Sequence, residues 1–124
     1  MTSVGTGERA ALDRDLTVDI TTIGRRSGQP RRMETWLYRA AGRYWLTGSP
    51  GRRDWYANLL AEPSFTLHLK ESAVFDLAVR ARPVTDPAER LAVLGEIVPG
   101  LSWAREGLDG WLAGSPLVEI VLPE

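Results

Sequence analysis

Six stretches of the chain alternate between apolar and polar residues, which is the two-residue period of a strand with one buried face. In the first stretch, the apolar residues Val18 and Ile20 alternate with the polar residues Thr17, Asp19 and Thr21. Glycine- or proline-bearing turns join the first three stretches, so we predict three consecutive antiparallel strands there. The six predicted strands cover residues 16–23, 31–39, 43–48, 65–70, 73–84 and 117–122.

Two segments between these strands carry the signals of a helix start. Asp54 can cap a helix that Pro63 ends. Asp86, Pro87 and Glu89 provide a cap, a proline at the first helical position and an acid three residues after the cap. The apolar residues that this second helix is predicted to turn toward the core are Leu91, Leu94 and Val98.

The predicted order is three strands, a helix, two strands, a helix and a strand, with a further short helix over residues 103–112. No βαβ unit is repeated, which argues against a Rossmann fold or another parallel sheet. Closing such a sheet removes its exposed edges, so we predict a closed or split barrel. The fold class is therefore mainly β (α+β), with six antiparallel strands and two or three short helices. We expect residues 1–15 to be a flexible N-terminal arm and residues 16–124 to form a single domain.

Composition is that of a globular protein, with 44% hydrophobic and 25% charged residues in 124, and it excludes a disordered chain. The chain has no cysteine and one histidine, so we predict no metal site and no thiol nucleophile. It shows neither an apolar run of about 18 residues nor the pattern of a signal peptide. We therefore expect a cytoplasmic protein without a membrane span.

The charged residues are distributed unevenly along the chain, although its formal net charge is only -1. Eight arginines lie between Arg25 and Arg53, with Glu34 as the single acid among them. Because the rest of the chain is acidic, this concentration predicts a local site for a small anion. Nucleic acid is not an expected partner of such a chain.

Two loops that contain both glycine and arginine fall inside this basic stretch. Residues 24–28 form the first and are followed by Arg31 and Arg32, whereas residues 49–53 form the second and lead into Asp54. Guanidinium groups, a serine hydroxyl and the N–H groups of a turn are suited to phosphate or carboxylate. For the first loop alone, a solvated arginine-rich hairpin is the alternative.

Large aromatic side chains are concentrated in the same part of the sequence. Strand alternation puts Arg32 and Trp36 on one face, and aromatic residues beside anion-binding arginines indicate a flat, conjugated ligand with an acidic tail. The alternative for any single one is core packing. Trp103 and Trp111, further along, could cover such a site or pack. The aromatic residues near the arginine loops are Trp36, Tyr38, Tyr44, Trp45, Trp55 and Tyr56.

His68 alternates with Thr66 and Lys70, opposite the apolar residues of its strand. This pattern predicts a histidine at the surface or at the mouth of the barrel, with a general base as the alternative. Because the chain offers neither a second histidine nor suggestively spaced carboxylates, hydrolase chemistry has little support.

Three segments together resemble the deazaflavin-dependent nitroreductase family. Members of that family are split β-barrels that bind the 5-deazaflavin coenzyme F420, and they are related in fold to FMN-binding pyridoxamine phosphate oxidases. The resemblance runs from about Val18 to the C-terminus and implies an antiparallel split β-barrel that binds F420. The three segments are TTIGRRSGQPR at 21–31, GSPG at 48–51 and DWYANLLAEP at 54–63.

The resemblance also implies a role for each matching position. Arg25, Arg26 and Ser27 would hold the phosphate and the start of the acidic tail, with Arg31 assisting. The remaining residues implied to bind the cofactor are Arg32, Met33 and Trp36 under the ring, Thr47, Gly48 and Ser49 at its edge, and Trp55, Tyr56 and Asn58 beside the tail.

The implied activity is the transfer of a hydride from F420 to an electron-poor small molecule such as a quinone, enone or nitro compound. Ser49 or a solvent water would supply the proton. Three alternatives stay open: an FMN-binding flavoprotein on the same barrel, a non-catalytic carrier of an acidic conjugated cofactor, and a single-stranded nucleic-acid binder, since arginines and aromatics also form stacking platforms. A homodimer is compatible with this fold, because the flavin-binding barrels are often dimers.

Overall fold

The computed structural model describes residues 4–123, which include seven strands. The strands are β1 (Thr17–Ile23), β2 (Pro30–Trp36), β3 (Tyr38–Ala40), β4 (Arg43–Thr47), β5 (Ser64–Leu69), β6 (Phe75–Pro83) and β7 (Leu117–Val121). They form one sheet in the order β2-β1-β5-β6-β7-β4-β3, in which every neighbouring pair is antiparallel. The helices are α1 (Thr6–Leu12), α2 (Asp54–Ala61), α3 (Pro87–Ile97) and α4 (Leu108–Gly114), and a 3₁₀ turn (Val98–Gly100) follows α3.

The sheet curls into a half-barrel because the strands at its two ends are neighbours in the chain. Only Leu37 separates β2 from β3; it is buried, and its backbone N–H donates to the carbonyl of Leu16 at 2.8 Å. The predicted strand over residues 31–39 is therefore two strands, and the sheet has seven strands instead of six. An alternating sequence pattern cannot reveal this break, because apolar and polar positions continue through the point where the pairing partner changes from β1 to β4.

Two packed clusters hold the strands and helices together. One fills the barrel and includes Ile20, Leu46 and Leu67, none of which is exposed. The other packs α3 and α4 against β3 and β4 around Trp45 and Leu94. Burial of such side chains contributes about 1.5–3 kcal/mol each, so these clusters are the main support for the loops that form the site.

The N-terminal residues differ from the flexible arm expected over residues 1–15. Within the described range they form α1, whose Ala11 and Leu12 are buried in the barrel cluster. Arg39 ties this segment down by donating from Nη1 to the carbonyls of Leu12 at 2.6 Å and Asp15 at 2.9 Å. Seven residues are too few to display a helical period clearly, so the sequence pattern did not predict how this helix packs. Residues 1–3 of the predicted arm lie outside the described residues.

The predicted helix starts have different outcomes. Asp86 caps α3 as expected, since its Oδ2 accepts from the N–H of Glu89 at 2.9 Å. Asp54 is the first helical residue of α2 and not its cap; Arg53 occupies the cap position without a side-chain hydrogen bond. Leu94 and Val98 are buried as predicted, but Leu91 is 52% exposed. The short helix predicted over residues 103–112 begins later, as α4.

His68 is buried, contrary to the predicted position at the surface or barrel mouth. Its Nε2 lies 2.7 Å from the Thr21 hydroxyl, and its Nδ1 lies 2.7 Å from Oδ1 of Asp76. Both ring nitrogens are thus occupied by neighbours on β1 and β6, a structural use that sequence alternation alone could not reveal.

Candidate functional site

A tight turn between β1 and β2 presents the first arginine pair. The N–H of Gly24 donates to the carbonyl of Gln29 at 2.8 Å, and the N–H of Gly28 donates to the carbonyl of Gly24 at 2.8 Å. Gly28 has a φ of +70°, a backbone conformation that is strained for a residue with a side chain. A Cβ on Gly24 would lie only 2.5 Å from the Ser27 hydroxyl oxygen. These two glycines therefore allow the turn to present Arg25, Arg26 and Ser27 on one side.

Asn58 connects this turn to helix α2. Its buried Oδ1 accepts from the backbone N–H of Arg25 at 3.1 Å and from Nη1 of Arg25 at 3.0 Å. Its Nδ2 donates to the hydroxyl of Thr22 at 3.3 Å. Nη2 of Arg25 also lies 3.4 Å from Oδ1 of Asp54. Asn58 thus acts as a brace that fixes the turn and the Arg25 guanidinium.

Arg26 and Arg31 differ from Arg25, because neither forms a salt bridge within residues 4–123. Both face a cavity of about 430 Å³ that contains three arginines and one aspartate. We call this cavity the cationic end of the site. It is lined by Thr22, Gly24, Arg25, Arg26, Ser27, Arg31, Met33, Asp54, Trp55 and Asn58.

A second cavity of about 360 Å³ adjoins the first, and Met33 and Trp55 line both. We call it the aromatic end, since three tryptophans and a tyrosine form much of its wall. The two ends share two lining residues, and we call them together the groove, which is cationic at one end and mostly aromatic at the other. The aromatic end is lined by Met33, Thr35, Trp36, Tyr38, Thr47, Gly48, Arg53, Trp55 and Trp103.

Trp36 and Trp103 form the exposed rim of the aromatic end. Their ring centroids are 6.5 Å apart, and they are 48% and 47% exposed. Trp103 in turn packs on the fully buried Trp111, with centroids 6.0 Å apart. Trp55 is buried at the base. Exposed indoles held in fixed positions can stack on a flat ligand.

The structure brings together most of the residues predicted to bind the cofactor and adds seven others to the lining. The sequence had pointed to five of these without assigning them a role at the cofactor: Tyr38 and Trp103 as aromatics, Gly24 and Arg53 in the two loops, and Asp54 after the second loop. Thr22 and Thr35 gave no distinguishing signal, because they join the lining only after the barrel closes. The additional lining residues are Thr22, Gly24, Thr35, Tyr38, Arg53, Asp54 and Trp103.

Arg32 does not face the groove, contrary to its implied place under the ring. Its Nε donates to Oδ2 of Asp19 at 3.0 Å on the opposite side of the sheet. Lys70 joins this cluster, with Nζ 2.7 Å from Oδ1 of Asp19, and also contacts Glu34. Hydrogen bonds from Lys70 and then from Arg32 hold the pKa of Asp19 below its ordinary value. Arg32 therefore belongs to a cluster of paired charged side chains on the surface of the sheet.

Three other predicted residues stand apart from the groove or are otherwise engaged. Tyr56 lines a separate cavity on the far side of α2. Thr47 borders the aromatic end, but its buried hydroxyl donates to the carbonyl of Pro116 at 2.6 Å. Ser49 is half-buried next to the groove without lining it, and its carbonyl accepts from Nη2 of Arg53 at 2.8 Å.

Residues 2–99 match the family described as F420H(2)-dependent quinone reductase. The chain belongs to that family. This F420H(2)-dependent quinone reductase family member is an enzyme, an oxidoreductase that uses F420, as the resemblance implied. The match ends before Trp103, so the rim of the aromatic end lies partly beyond the matched residues.

Solved structures similar to this family member share its fold. An F420 reductase is 21% identical with a TM-score of 0.64, over 98% of this chain and 97% of that one. A conserved protein of Mycobacterium tuberculosis is 18% identical with a TM-score of 0.73, over 98% and 83% of the two chains. A protein described as a pyridoxamine 5'-phosphate oxidase from Listeria innocua is 9% identical with a TM-score of 0.66, over 94% and 90%. The predicted split β-barrel, mainly β in class, is thereby confirmed.

Across residues 4–123, none of the helices has the length and apolar character needed to cross a bilayer.

Proposed function

We propose that the groove binds F420, with the phosphate and acidic tail at the cationic end and the deazaflavin ring at the aromatic end. The observation that carries this proposal is that Met33 and Trp55 line both cavities, which joins a cationic and an aromatic wall in one groove. A conjugated ring with an anionic tail has the same division into two parts.

The donors at the cationic end are suited to this group. Arg26 and Arg31 have guanidinium groups that no carboxylate neutralises among residues 4–123, and Arg25 is held in place by Asn58. The Ser27 hydroxyl accepts from the N–H of Gln29 at 3.1 Å, which leaves its own proton free to donate. Charge-assisted hydrogen bonds of this kind are about twice as strong as neutral ones. Each cavity is also within the range of about 300–1,000 Å³ that ligand sites occupy.

The chain's own side chains orient the reactants and exclude water. When bound, reduced F420 supplies a hydride to an electron-poor acceptor, which for this family is a quinone. Trp36 and Trp103 at the rim stack on the flat acceptor and keep water from the ring. Ser49 remains our proposed proton donor, with a solvent water as the alternative, since Ser49 is half-buried next to the groove and Arg53 anchors its loop.

The test is a fluorescence titration of the full chain with oxidised F420, run beside the same titration with FMN. We expect binding at micromolar F420 and weaker binding of FMN, whose short tail leaves part of the cationic end empty. FMN binding without F420 binding would overturn the proposal. Turnover of reduced F420 with a quinone then separates the enzyme from a carrier, which binds F420 without consuming it. Sedimentation in the same buffer tests the homodimer that we also propose.

A further inference from the structure

A separate cavity of about 800 Å³ lies behind the groove, between α2, the start of α3 and the end of α4. It is larger than either end of the groove and shares only Arg53 with it. Nothing in the proposed binding of F420 uses it. Its lining residues are Gly51, Arg52, Arg53, Tyr56, Val84, Thr85, Pro87, Arg90, Leu91, Leu112, Ala113, Gly114, Ser115 and Pro116.

The charge of this cavity has one sign, because its lining includes three arginines and no acidic residue. Arg90, at the base, donates only to backbone carbonyls, including those of Val84 at 3.1 Å and Ser115 at 2.8 Å. Carbonyl oxygens satisfy its N–H groups without neutralising its charge. Arg52 is exposed at the mouth and forms no salt bridge within residues 4–123. The charged side chains that line the cavity are therefore all positive, and none of them is paired with a carboxylate among residues 4–123.

The rest of the wall is mostly apolar. Leu91, on the outer face of α3, is 52% exposed and leans over the cavity with Leu112. Ser115 is only 5% exposed, and its Oγ has no hydrogen-bond partner among the described residues.

We propose that this cavity binds an amphipathic organic anion, namely a carboxylate carried on an apolar chain. The carboxylate meets the arginines, and the chain lies along Leu91 and Leu112. Charge complementarity selects this class over neutral and cationic amphiphiles, because a cationic head would face three arginines with no acid beside them.

The test is calorimetric titration of the full chain with decanoate, compared with decyltrimethylammonium, both below their critical micelle concentrations. We expect decanoate to bind at least tenfold more tightly than the cation. Arg52→Gln and Leu91→Gln should each weaken decanoate binding at least fivefold, because they remove the charge at the mouth and the apolar wall. Arg105→Gln is the matched control, since Arg105 is exposed and lies outside the cavity.

A second variant separates this site from the groove. Arg26→Ala should leave decanoate affinity unchanged, because Arg26 lines only the cationic end. Amide shifts in an NMR titration should be largest near Leu112 and Ser115. Equal binding of decanoate and the cation, or equal effects of Arg52→Gln and Arg105→Gln, would overturn the proposal. So would loss of decanoate binding in Arg26→Ala, which would assign the anion to the groove instead.

Discussion

Arg26 and Arg82 carry the same side chain into opposite settings. Arg82 makes two hydrogen bonds to Glu89, at 2.5 and 3.0 Å, and a third to Glu119 at 2.8 Å. Arg26 has no carboxylate partner within residues 4–123 and faces an open cavity. The comparison separates two uses of arginine: with its donors occupied it joins β6, β7 and α3, and with its donors free it is available to a ligand. Substitutions on either side of this difference test it.

The largest effect should follow from removing a free guanidinium. We expect Arg26→Ala to weaken F420 binding by about 1.5–3 kcal/mol, the worth of a hydrogen bond to a charged group, while the free energy of unfolding changes by less than about 0.5 kcal/mol. Fluorescence titration and urea denaturation measure the two quantities. Arg32→Ala is the matched control from the same basic stretch, because Arg32 is bound to Asp19 on the other face. Equal losses of F420 affinity in both variants would contradict the assignment.

This pair also shows what the sequence could and could not predict. Eight arginines between Arg25 and Arg53 indicated a site for a small anion, and a cavity lined by Arg25, Arg26 and Arg31 lies at the first loop. Which arginines face the groove depends on register, since Arg31 and Arg32 are neighbours on opposite faces. The fold class predicted from the sequence was correct, because the alternation of apolar and polar residues within each strand is a local pattern.

The aromatic end was harder to predict because it is assembled from distant parts of the chain. The break at Leu37 turns β3 away from β2 and brings Tyr38 to the wall beside Thr47. Trp103 arrives from the loop before α4, which packs on the outside of the barrel. Neither event leaves a periodic signal, since both depend on how separate elements pack. Long-range packing therefore limits prediction here more than local structure does.

Removal of the Asn58 brace should reduce both stability and binding. Asn58→Ala leaves the Arg25 N–H and the Thr22 hydroxyl without their buried partner, so we expect a loss of about 1–3 kcal/mol in the free energy of unfolding. F420 affinity should fall as well, because the turn loses its anchor on α2. Asn58→Asp keeps an oxygen that can accept from Arg25 and should retain more of the affinity. An Asp variant as weak as the Ala variant would show that Arg25 does not depend on this oxygen.

Substitutions at the rim of the aromatic end should weaken binding of the acceptor more than binding of the F420 tail. We expect Trp103→Ala to raise the KM for a quinone by about two- to tenfold, equivalent to about 0.5–1.5 kcal/mol for one aromatic stacking contact. Steady-state kinetics at saturating F420 measures this change. Trp103→Phe should recover most of it, because a smaller aromatic ring still stacks beside Trp36. An unchanged KM in Trp103→Ala would remove the rim from the acceptor site.

We expect the smallest effect at the ion pair of Arg82, whose donors are occupied, and this effect on stability depends on pH. Hydrogen bonds from Arg82 hold the pKa of Glu89 below its ordinary value of 4.5. A carboxyl whose pKa is lower in the folded protein stabilises the fold above its unfolded pKa, and this stabilisation is lost as the pH falls through the folded pKa. The side chains of Arg82 and Glu89 are 41% and 30% exposed, so solvent limits the contribution to less than about 1 kcal/mol.

Glu89→Gln should therefore lower stability near neutral pH and flatten its decline between about pH 5 and pH 3, as measured by urea denaturation across that range. Glu106→Gln provides the matched control, because Glu106 is exposed and is not a salt-bridge partner of Arg82. If both variants flatten the decline equally, the effect is one of overall charge and Arg82 holds Glu89 no more firmly than solvent does. If only Glu89→Gln does so, the occupied arginine stabilises the fold through its carboxylates, a role that the free Arg26 cannot have.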